Sequence, residues 1–244
     1  MLPLKGDALF MNRETTNRIR FVLEDILPPF VRDSGAFRWA ARRVWGDHIT
    51  HLAKFRERAP FLSAEEYAEL YRKHPRVHEG TDNSAACISR ILGSIAGESV
   101  CDIGCGTGSL LRSIQATHPG LNRLTGVDFV IEDASRLPGI EYVAAKVENL
   151  PFADAEFDTV ICTHVIEHIL DYRQAIAELR RIAKRRLIIV VPREREYRYT
   201  FNPHFNFFPY THSFLRAVHP VPPAFVCEDI GRDIFYSEKR GAAD

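Results

Sequence analysis

The sequence lacks the features of several large classes of protein. No apolar run approaches the roughly 20 residues that a transmembrane helix needs, and the N-terminus has no pattern typical of a signal peptide. The five cysteines form no C-x-x-C pair and lie mostly in apolar stretches, which indicates buried free thiols in a reducing compartment. Lysine plus arginine equals aspartate plus glutamate at 32 each, so no net positive charge would recruit nucleic acid. We therefore expect a cytoplasmic protein with no membrane span and no nucleic-acid partner.

Two common nucleotide-binding motifs are also absent, namely G-x-G-x-x-G and the P-loop G-K-[S/T]. The sequence has instead an apolar strand that carries Asp102 and runs into Gly104, Gly106 and Gly108. Glycines at every second residue allow a tight turn that a ligand can approach closely. The amides that open the following helix would offer hydrogen-bond donors and a positive dipole end. About 20 residues further on, a second strand ends in Asp128, where a carboxylate suits ribose hydroxyls or, alternatively, caps a turn.

The carboxylate of Asp102 discriminates between cofactors. It would repel a pyrophosphate, whereas it would attract the ammonium of an amino-acid tail, so S-adenosylmethionine is favoured over NAD. The run D-I-G-C-G-T-G resembles that of class I S-adenosylmethionine-dependent methyltransferases of the type 11-like group, over about residues 83–191. An NAD-dependent oxidoreductase is the competing enzyme class, and it would require the missing G-x-G-x-x-G.

The resemblance implies a fold, and the alternation of helical and strand patterns agrees with it. We expect an α/β fold in which a doubly wound, mostly parallel seven-stranded sheet of the Rossmann-like type follows an N-terminal helical cap. The cap would span residues 1–80 and the S-adenosylmethionine-binding domain residues 81–244. The expected strands are 99–103, 124–128, 140–144, 159–162 and 187–191, followed by a hairpin of 225–228 and 234–237. In the cap, an amphipathic helix over 18–27 would end at Pro28–Pro29, and Ser63 with Glu66 would form a capping box.

The resemblance also implies which residues hold the cofactor. Asp102, Gly104, Cys105 and Gly106 would line the methionine portion, and Gly108 would permit close helix packing. Asp128 would bind the ribose, and Phe129 would lie along the adenine. Lys146 stands where the family commonly has an aspartate for the adenine amino group, and an ammonium cannot accept that bond. Adenine would then be held by backbone around Val147 or by Glu148, and His164 would border the methyl donor.

The fourth strand is followed by residues suited to chemistry. His164, Glu167 and His168 have i, i+3 and i+4 spacing, so one helical turn would gather them on one face. Two imidazoles and a carboxylate could bind a divalent metal. The run resembles the E-V-I-E-H segment of small-RNA 2′-O-methyltransferases and segments of ubiquinone-pathway O-methyltransferases, with His164 in place of the first glutamate. Packing or hydrogen bonding without a metal is the alternative interpretation of these residues.

A loop after the fifth strand supplies His204, which the resemblance to the family's His-containing loop directs towards the acceptor. His204 is the candidate general base or fourth metal ligand, with His164 and His168 as further catalytic candidates. A bond from its ring to a backbone carbonyl is the structural alternative. The side-chain charges of residues 193–196, which precede this loop, alternate in sign, and this pattern predicts a solvated segment.

These residues predict an S-adenosylmethionine-dependent methyltransferase that methylates the hydroxyl of a sugar, a glycan or another small molecule, with metal assistance through His164, Glu167, His168 and His204. A natural-product phenol or an amine is the alternative acceptor. A non-catalytic S-adenosylmethionine-binding partner subunit is the alternative of another class. The chain is also compatible with a homodimer.

Overall fold

The computed structural model describes residues 18–19, 21–45, 55–63, 65–66, 69, 81–131, 136–196 and 203–241. Most of the expected cap lies outside these ranges, whereas nearly all of the expected cofactor domain lies within them. No helix in the described ranges is both long and apolar enough to cross a membrane.

Seven strands form one sheet in the order β3-β2-β1-β4-β5-β7-β6. The strands are β1 (Ser99–Ile103), β2 (Arg123–Asp128), β3 (Glu141–Ala144), β4 (Phe157–Thr163), β5 (Ala183–Pro192), β6 (Phe225–Ile230) and β7 (Asp233–Lys239). β7 runs antiparallel to both of its neighbours, and the pairs among β1 to β5 are parallel. The sequence-based prediction of a mostly parallel, seven-stranded sheet that ends in a hairpin is confirmed.

Helices cover both faces of the sheet. The described α-helices are α1 (Pro29–Arg32), α2 (Gly35–Trp45), α3 (Phe55–Arg58), α4 (Ala85–Leu92), α5 (Ser109–Thr117), α6 (Tyr172–Ile182) and α7 (Thr211–Ala217). Side chains of α6 and α7 belong to one apolar core, and those of α4 and α5 belong to a second. Along β5, Leu187, Ile189 and Val191 pack in the first core, whereas Ile188 and Val190 pack in the second. This alternation is the two-residue period of a strand that is buried on both faces.

The N-terminal region differs in part from its prediction. Residues 22–26 form a π-helix rather than part of a regular α-helix. The predicted end of this helical segment at Pro28–Pro29 is confirmed, since Leu27 and Pro28 have extended backbone. Pro29 then begins α1, because the first turn of a helix does not need the missing amide hydrogen. The predicted capping box is present: the amide of Ser63 donates to Glu66 at 2.8 Å, and the amide of Glu66 donates to the Ser63 hydroxyl at 3.2 Å.

The strand order reverses between β1 and β4, which lie side by side with Ile103 opposite Cys162. The chain leaves β1 towards β2 and β3 on one side, and continues from β4 to β5 on the other. Ligands of open α/β sheets bind beyond the carboxyl ends of the strands at such a reversal. The residues that directly follow β1 and β4 are therefore those that this fold offers to a ligand.

Asp158 fixes the start of β4 against β1. Its carboxylate accepts hydrogen bonds from the amide of Glu98 at 2.9 Å and from the amide and hydroxyl of Ser99, and it pairs with Arg185 at 2.9 Å. Burial opposes the charge, but these hydrogen bonds and Arg185 outweigh it and lower the pKa of Asp158 below its ordinary value. The ionised carboxylate thus holds three strands together below the site.

We predict that Asp158→Asn lowers the free energy of unfolding at pH 7 by about 1–3 kcal/mol, because the amide loses the charge and one acceptor oxygen. Since the pKa of Asp158 is lowered in the folded state, the advantage of the wild type is present above the ordinary carboxyl pKa of about 4 and is lost as the pH falls through the lowered value. Urea unfolding of both proteins over a pH series measures this difference.

Asp154→Asn is the matched control, because its carboxylate is 82% exposed although it pairs with Arg181. Asp154→Asn should change the free energy of unfolding by no more than about 0.5 kcal/mol throughout the pH series. A loss for Asp158→Asn that equals the control, or that does not change with pH, would contradict the anchoring role.

Candidate cofactor and acceptor site

The turn after β1 depends on glycine. The backbone φ angles are positive at Gly104, Gly106 and Gly108, with values of 77°, 53° and 74°. Residues other than glycine rarely adopt such angles. A Cβ on Gly104 would collide with the side chain of Val165, which follows β4. The amides of Gly104 and Cys105 both donate to the carbonyl of Val127 in β2. The turn is thus packed between the ends of β2 and β4, at the reversal of strand order.

The two predicted carboxylates lie at this turn. Asp102, near the end of β1, is 1% exposed. Asp128 is the last residue of β2, and its Oδ2 accepts a hydrogen bond from the amide of Gly106 at 2.8 Å. Asp128 therefore caps the glycine turn, which was the structural alternative for this residue. A carboxylate has several lone pairs, so this bond leaves room for ribose hydroxyls as well.

The residues predicted to surround adenine follow β2 and β3. Phe129 directly follows Asp128 and is 39% exposed. The ammonium of Lys146 lies 5.7 Å from the centre of its ring. Val147 is buried, and the carbonyl of Glu148 accepts a bond from Gln174. The structure thus brings the predicted adenine-binding segments to one edge of the sheet, with a cation beside the aromatic ring.

The residues after β4 do not form the regular helical turn that their spacing suggested. His164 has a φ angle of 55°, and its amide donates to Val190 of β5 at 2.9 Å. A short 3₁₀ turn then covers residues 166–168. Nδ1 of His164 lies 3.4 Å from Oε1 of Glu167, and its Nε2 lies 3.8 Å from Oδ1 of Asp233. His164 therefore contacts Glu167 and Asp233.

A second segment brings His204 to this turn. The amides of Phe205 and Asn206 donate to the backbone carbonyl of Glu167 at 2.7 and 3.1 Å. Ligand atoms of Glu167, His168 and His204 all lie within 4.8 Å of one another, and the two imidazole rings are 4.7 Å apart. Glu167 is 1% exposed and His204 is 7% exposed. We call Glu167, His168 and His204 the His₂Glu cluster.

Both histidines of the cluster are oriented by hydrogen bonds at Nδ1. Nδ1 of His168 lies 3.0 Å from the carbonyl of Pro203, to which it donates as the neutral or the charged ring. Nδ1 of His204 lies 2.6 Å from Oε2 of Glu194. In each ring Nε2 is therefore the nitrogen that would bind a metal ion or take a proton.

Burial and neighbouring charges set the protonation of these groups. Burial disfavours the charge of Glu167, but His164 and His168 outweigh it and lower the pKa of the carboxyl. Burial and the charge of His204 lower the pKa of His168 to about 4. Burial also opposes a charge on His164, yet Glu167 and Asp233 outweigh it and raise its pKa. An ionised carboxylate and a neutral imidazole thus meet in the cluster, which is the protonation state that metal binding requires.

Sequence reasoning missed two acidic residues of the site. The prediction of a solvated segment over residues 193–196 is wrong for Glu194, which is 2% exposed and bonded to His204. Asp233, which was assigned only to a hairpin, is fully buried at the start of β7 beside His164. A carboxylate two residues after a buried strand was a usable signal for Glu194, since the residues beyond the carboxyl ends of the strands face the ligand side.

Comparisons with known proteins show what this chain is similar to. The sequence model of a family described as a methyltransferase domain matches residues 101–191. An O-methyltransferase of Aspergillus sclerotiorum, resE, is 35% identical over 103 residues, which cover 38% of this chain and 38% of that protein. The uncharacterized methyltransferase YcgJ of Bacillus subtilis is 32% identical over 126 residues, or 48% of each. The chain thus spans less than half of the length of these two relatives.

A solved structure shares the fold. A crystal structure of an S-adenosylmethionine-dependent methyltransferase from Thermotoga maritima aligns with a TM-score of 0.52 and 19% identity, over 63% of this chain and 87% of that one. Residues 101–191 of this chain are thus similar to a methyltransferase domain, and the strand order of its sheet is accompanied by the fold of the Thermotoga maritima structure.

Proposed function

We propose that this protein transfers the methyl group of S-adenosylmethionine to a hydroxyl oxygen of a small molecule or glycan. The observation that carries the proposal is the His₂Glu cluster, in which Glu167 and His168 follow β4 and His204 comes from the loop after β5. Val165, which precedes Glu167 in the same turn, packs against Gly104 of the glycine turn. A methyltransferase must hold the acceptor atom in line with the methyl group and accommodate the proton that the acceptor loses. Imidazole and carboxylate groups beside the methyl donor suit a hydroxyl acceptor.

The cofactor would lie across the ends of β1, β2 and β3. Its amino-acid end would meet Asp102 and the turn of Gly104, Cys105, Gly106 and Gly108, where an anion attracts the ammonium group. Its ribose would bind Asp128, and its adenine would lie along Phe129 with Val147 and Glu148 at the edge. The methyl group would then point towards His164 and the cluster. The capping bond of Asp128 and the exposed face of Phe129 are compatible with these contacts.

A divalent metal fits the donor set of the cluster. Oε2 of Glu167 is buried, and no described residue forms a hydrogen bond with it. Buried carboxylate oxygens are normally satisfied, so this atom suits a ligand that supplies positive charge. Glu167, His168 and His204 would hold the ion, with His164 beside Glu167. When bound, such an ion would polarise the acceptor oxygen and lower the pKa of its hydroxyl.

The support for an oxygen acceptor comes from a relative. The relative from Aspergillus sclerotiorum carries the name O-methyltransferase, which agrees with an oxygen acceptor. A sugar or glycan remains our preferred acceptor, and a natural-product phenol or an amine is the second candidate. Zero formal net charge disfavours nucleic acid as the acceptor. A cofactor-binding partner subunit without turnover is the competing function of another class, and a homodimer is compatible with either.

The direct test is a transfer assay with tritiated-methyl S-adenosylmethionine and fractionated cell extract. We expect label in a small-molecule or glycan fraction, attached to oxygen when the product is analysed by mass spectrometry. Labelled protein or nucleic acid, or label on nitrogen, would contradict the acceptor class. Cofactor binding without transfer to any fraction would support the partner-subunit function instead.

We predict that Asp102→Asn weakens S-adenosylmethionine binding by roughly 10- to 100-fold, because hydrogen bonds to charged groups contribute about 1.5–3 kcal/mol. The amide keeps the size of the buried side chain and removes its charge. Isothermal titration calorimetry measures the affinity, and thermal unfolding verifies the fold. Asp154→Asn, an exposed change of the same kind, should bind like the wild type. Unchanged affinity of Asp102→Asn, or binding of NAD instead of S-adenosylmethionine, would refute the cofactor assignment.

We predict that removal of divalent ions by EDTA, followed by desalting, lowers the transfer rate at least tenfold, the scale on which loss of metal polarisation acts. Cofactor affinity should stay the same, because the cofactor contacts do not include the metal. Added divalent ions should restore the rate. Full activity of the treated protein without added ion would exclude metal assistance and would leave methyl transfer itself intact.

A further inference from the structure

The donor atoms of the His₂Glu cluster carry information about which metal would bind. Two of the three side chains are imidazoles, and one is a carboxylate. Mg²⁺ and Ca²⁺ prefer oxygen ligands. Imidazole binds the transition-metal ions Mn²⁺, Fe²⁺, Co²⁺ and Zn²⁺ better than it binds Mg²⁺. Two histidines and one carboxylate with open positions are typical of transition-metal sites. The composition of the cluster is therefore that of a transition-metal centre.

Each ligand is held by a second group outside the cluster. Glu194 binds Nδ1 of His204 at 2.6 Å, and the Pro203 carbonyl accepts from Nδ1 of His168 at 3.0 Å. Metal-binding histidines usually make such a bond with their other nitrogen, to a carboxylate or a backbone carbonyl, because it fixes the tautomer and the orientation of the ring. Both kinds of support occur here, one on each ring.

His164 provides the corresponding support for the carboxylate. Its Nδ1 lies 3.4 Å from Oε1 of Glu167, and the atom without a hydrogen-bond partner among the described residues is Oε2. Its Nε2 is directed to Asp233, at 3.8 Å. This arrangement assigns Oε1 to His164 and leaves Oε2 for the cluster. It explains why a histidine can stand where the fourth strand ends without acting as a ligand.

We propose that Glu167, His168 and His204 form a two-histidine, one-carboxylate centre that selects a first-row transition-metal ion over Mg²⁺, and that His164 and Glu194 are positioning residues for its ligands. This inference rests on the proposed function in one respect: the metal centre would serve to orient the acceptor hydroxyl. Its test does not require turnover, because metal binding is measured without an acceptor.

The first experiment titrates the metal-stripped full-length protein with Co²⁺ and records its visible absorption. We expect stoichiometric binding of one ion with the d–d spectrum of a nitrogen- and oxygen-ligated site, and no displacement by a large excess of Mg²⁺. His204→Ala and Glu167→Gln should abolish the spectrum. His118→Ala is the matched control, since that ring lies at the end of α5 and contacts Thr117. Loss of the Co²⁺ spectrum of the wild type on addition of Mg²⁺, or no binding of Co²⁺ by the wild type, would overturn the proposal.

The second experiment separates positioning from ligation. Glu194→Gln should weaken Co²⁺ binding about 10- to 100-fold, as loss of an outer hydrogen bond to a metal ligand does. His164→Asn keeps an N–H donor near the position of Nδ1, and asparagine tolerates the left-handed backbone of residue 164. It should therefore bind Co²⁺ like the wild type, whereas His164→Ala should bind about 10- to 100-fold more weakly. Calorimetry with S-adenosylmethionine verifies that each variant is folded.

The outcomes distinguish this inference from the proposed function. Selective Co²⁺ binding without methyl transfer would support the centre and contradict the methyltransferase proposal. Methyl transfer that resists EDTA, in a protein that binds no Co²⁺, would do the reverse. If His164→Asn loses Co²⁺ binding while S-adenosylmethionine still binds, His164 is a ligand and its positioning role is wrong.

Discussion

The backbone carbonyl of Glu167 joins the two segments that build the site. It accepts hydrogen bonds from the amides of Phe205 and Asn206, and the Asn206 side chain donates to the carbonyls of Ile166 and Ile169. These bonds fix the loop after β5 on the turn after β4, and they bring His204 beside Glu167 and His168. Because buried polar groups need partners, the docked loop and the His₂Glu cluster depend on each other. Without this contact, His204 would not be held beside Glu167 and His168.

The sheet supplies the rigid frame for this arrangement. Asp158 fixes the start of β4 against β1 and β5, and the apolar cores on both faces hold the strand along its length. At its other end, Val165 packs where a Cβ of Gly104 would have to lie. The glycine turn therefore contacts the segment that leads from β4 into Glu167 and His168. Proximity between donor and acceptor is the main requirement of methyl transfer.

The features that could be predicted from the sequence are those that local residue patterns determine. The glycine turn, the strands around it and the Ser63 capping box follow from residues that are close in the chain, and the structure confirms them. The burial of Glu194 could not be predicted in this way, because the sign pattern of residues 193–196 contains no information about its partner, His204, in a later loop. The role of His164 was obscured for a different reason: helical spacing predicts a shared face, but its left-handed backbone interrupts the helix. Long-range contacts and backbone conformation thus account for the differences.

We propose that the glycine turn binds the amino-acid end of a sulfonium nucleoside and directs its sulfur towards Glu167, His168 and His204. A crystal structure of the full-length protein with S-adenosylhomocysteine tests this claim most directly. We expect the ammonium group beside Asp102, the ribose on Asp128 and the sulfur facing the cluster. A nucleoside bound away from the turn, or a turn that takes the diphosphate of NAD from a mixture of both ligands, would contradict the account.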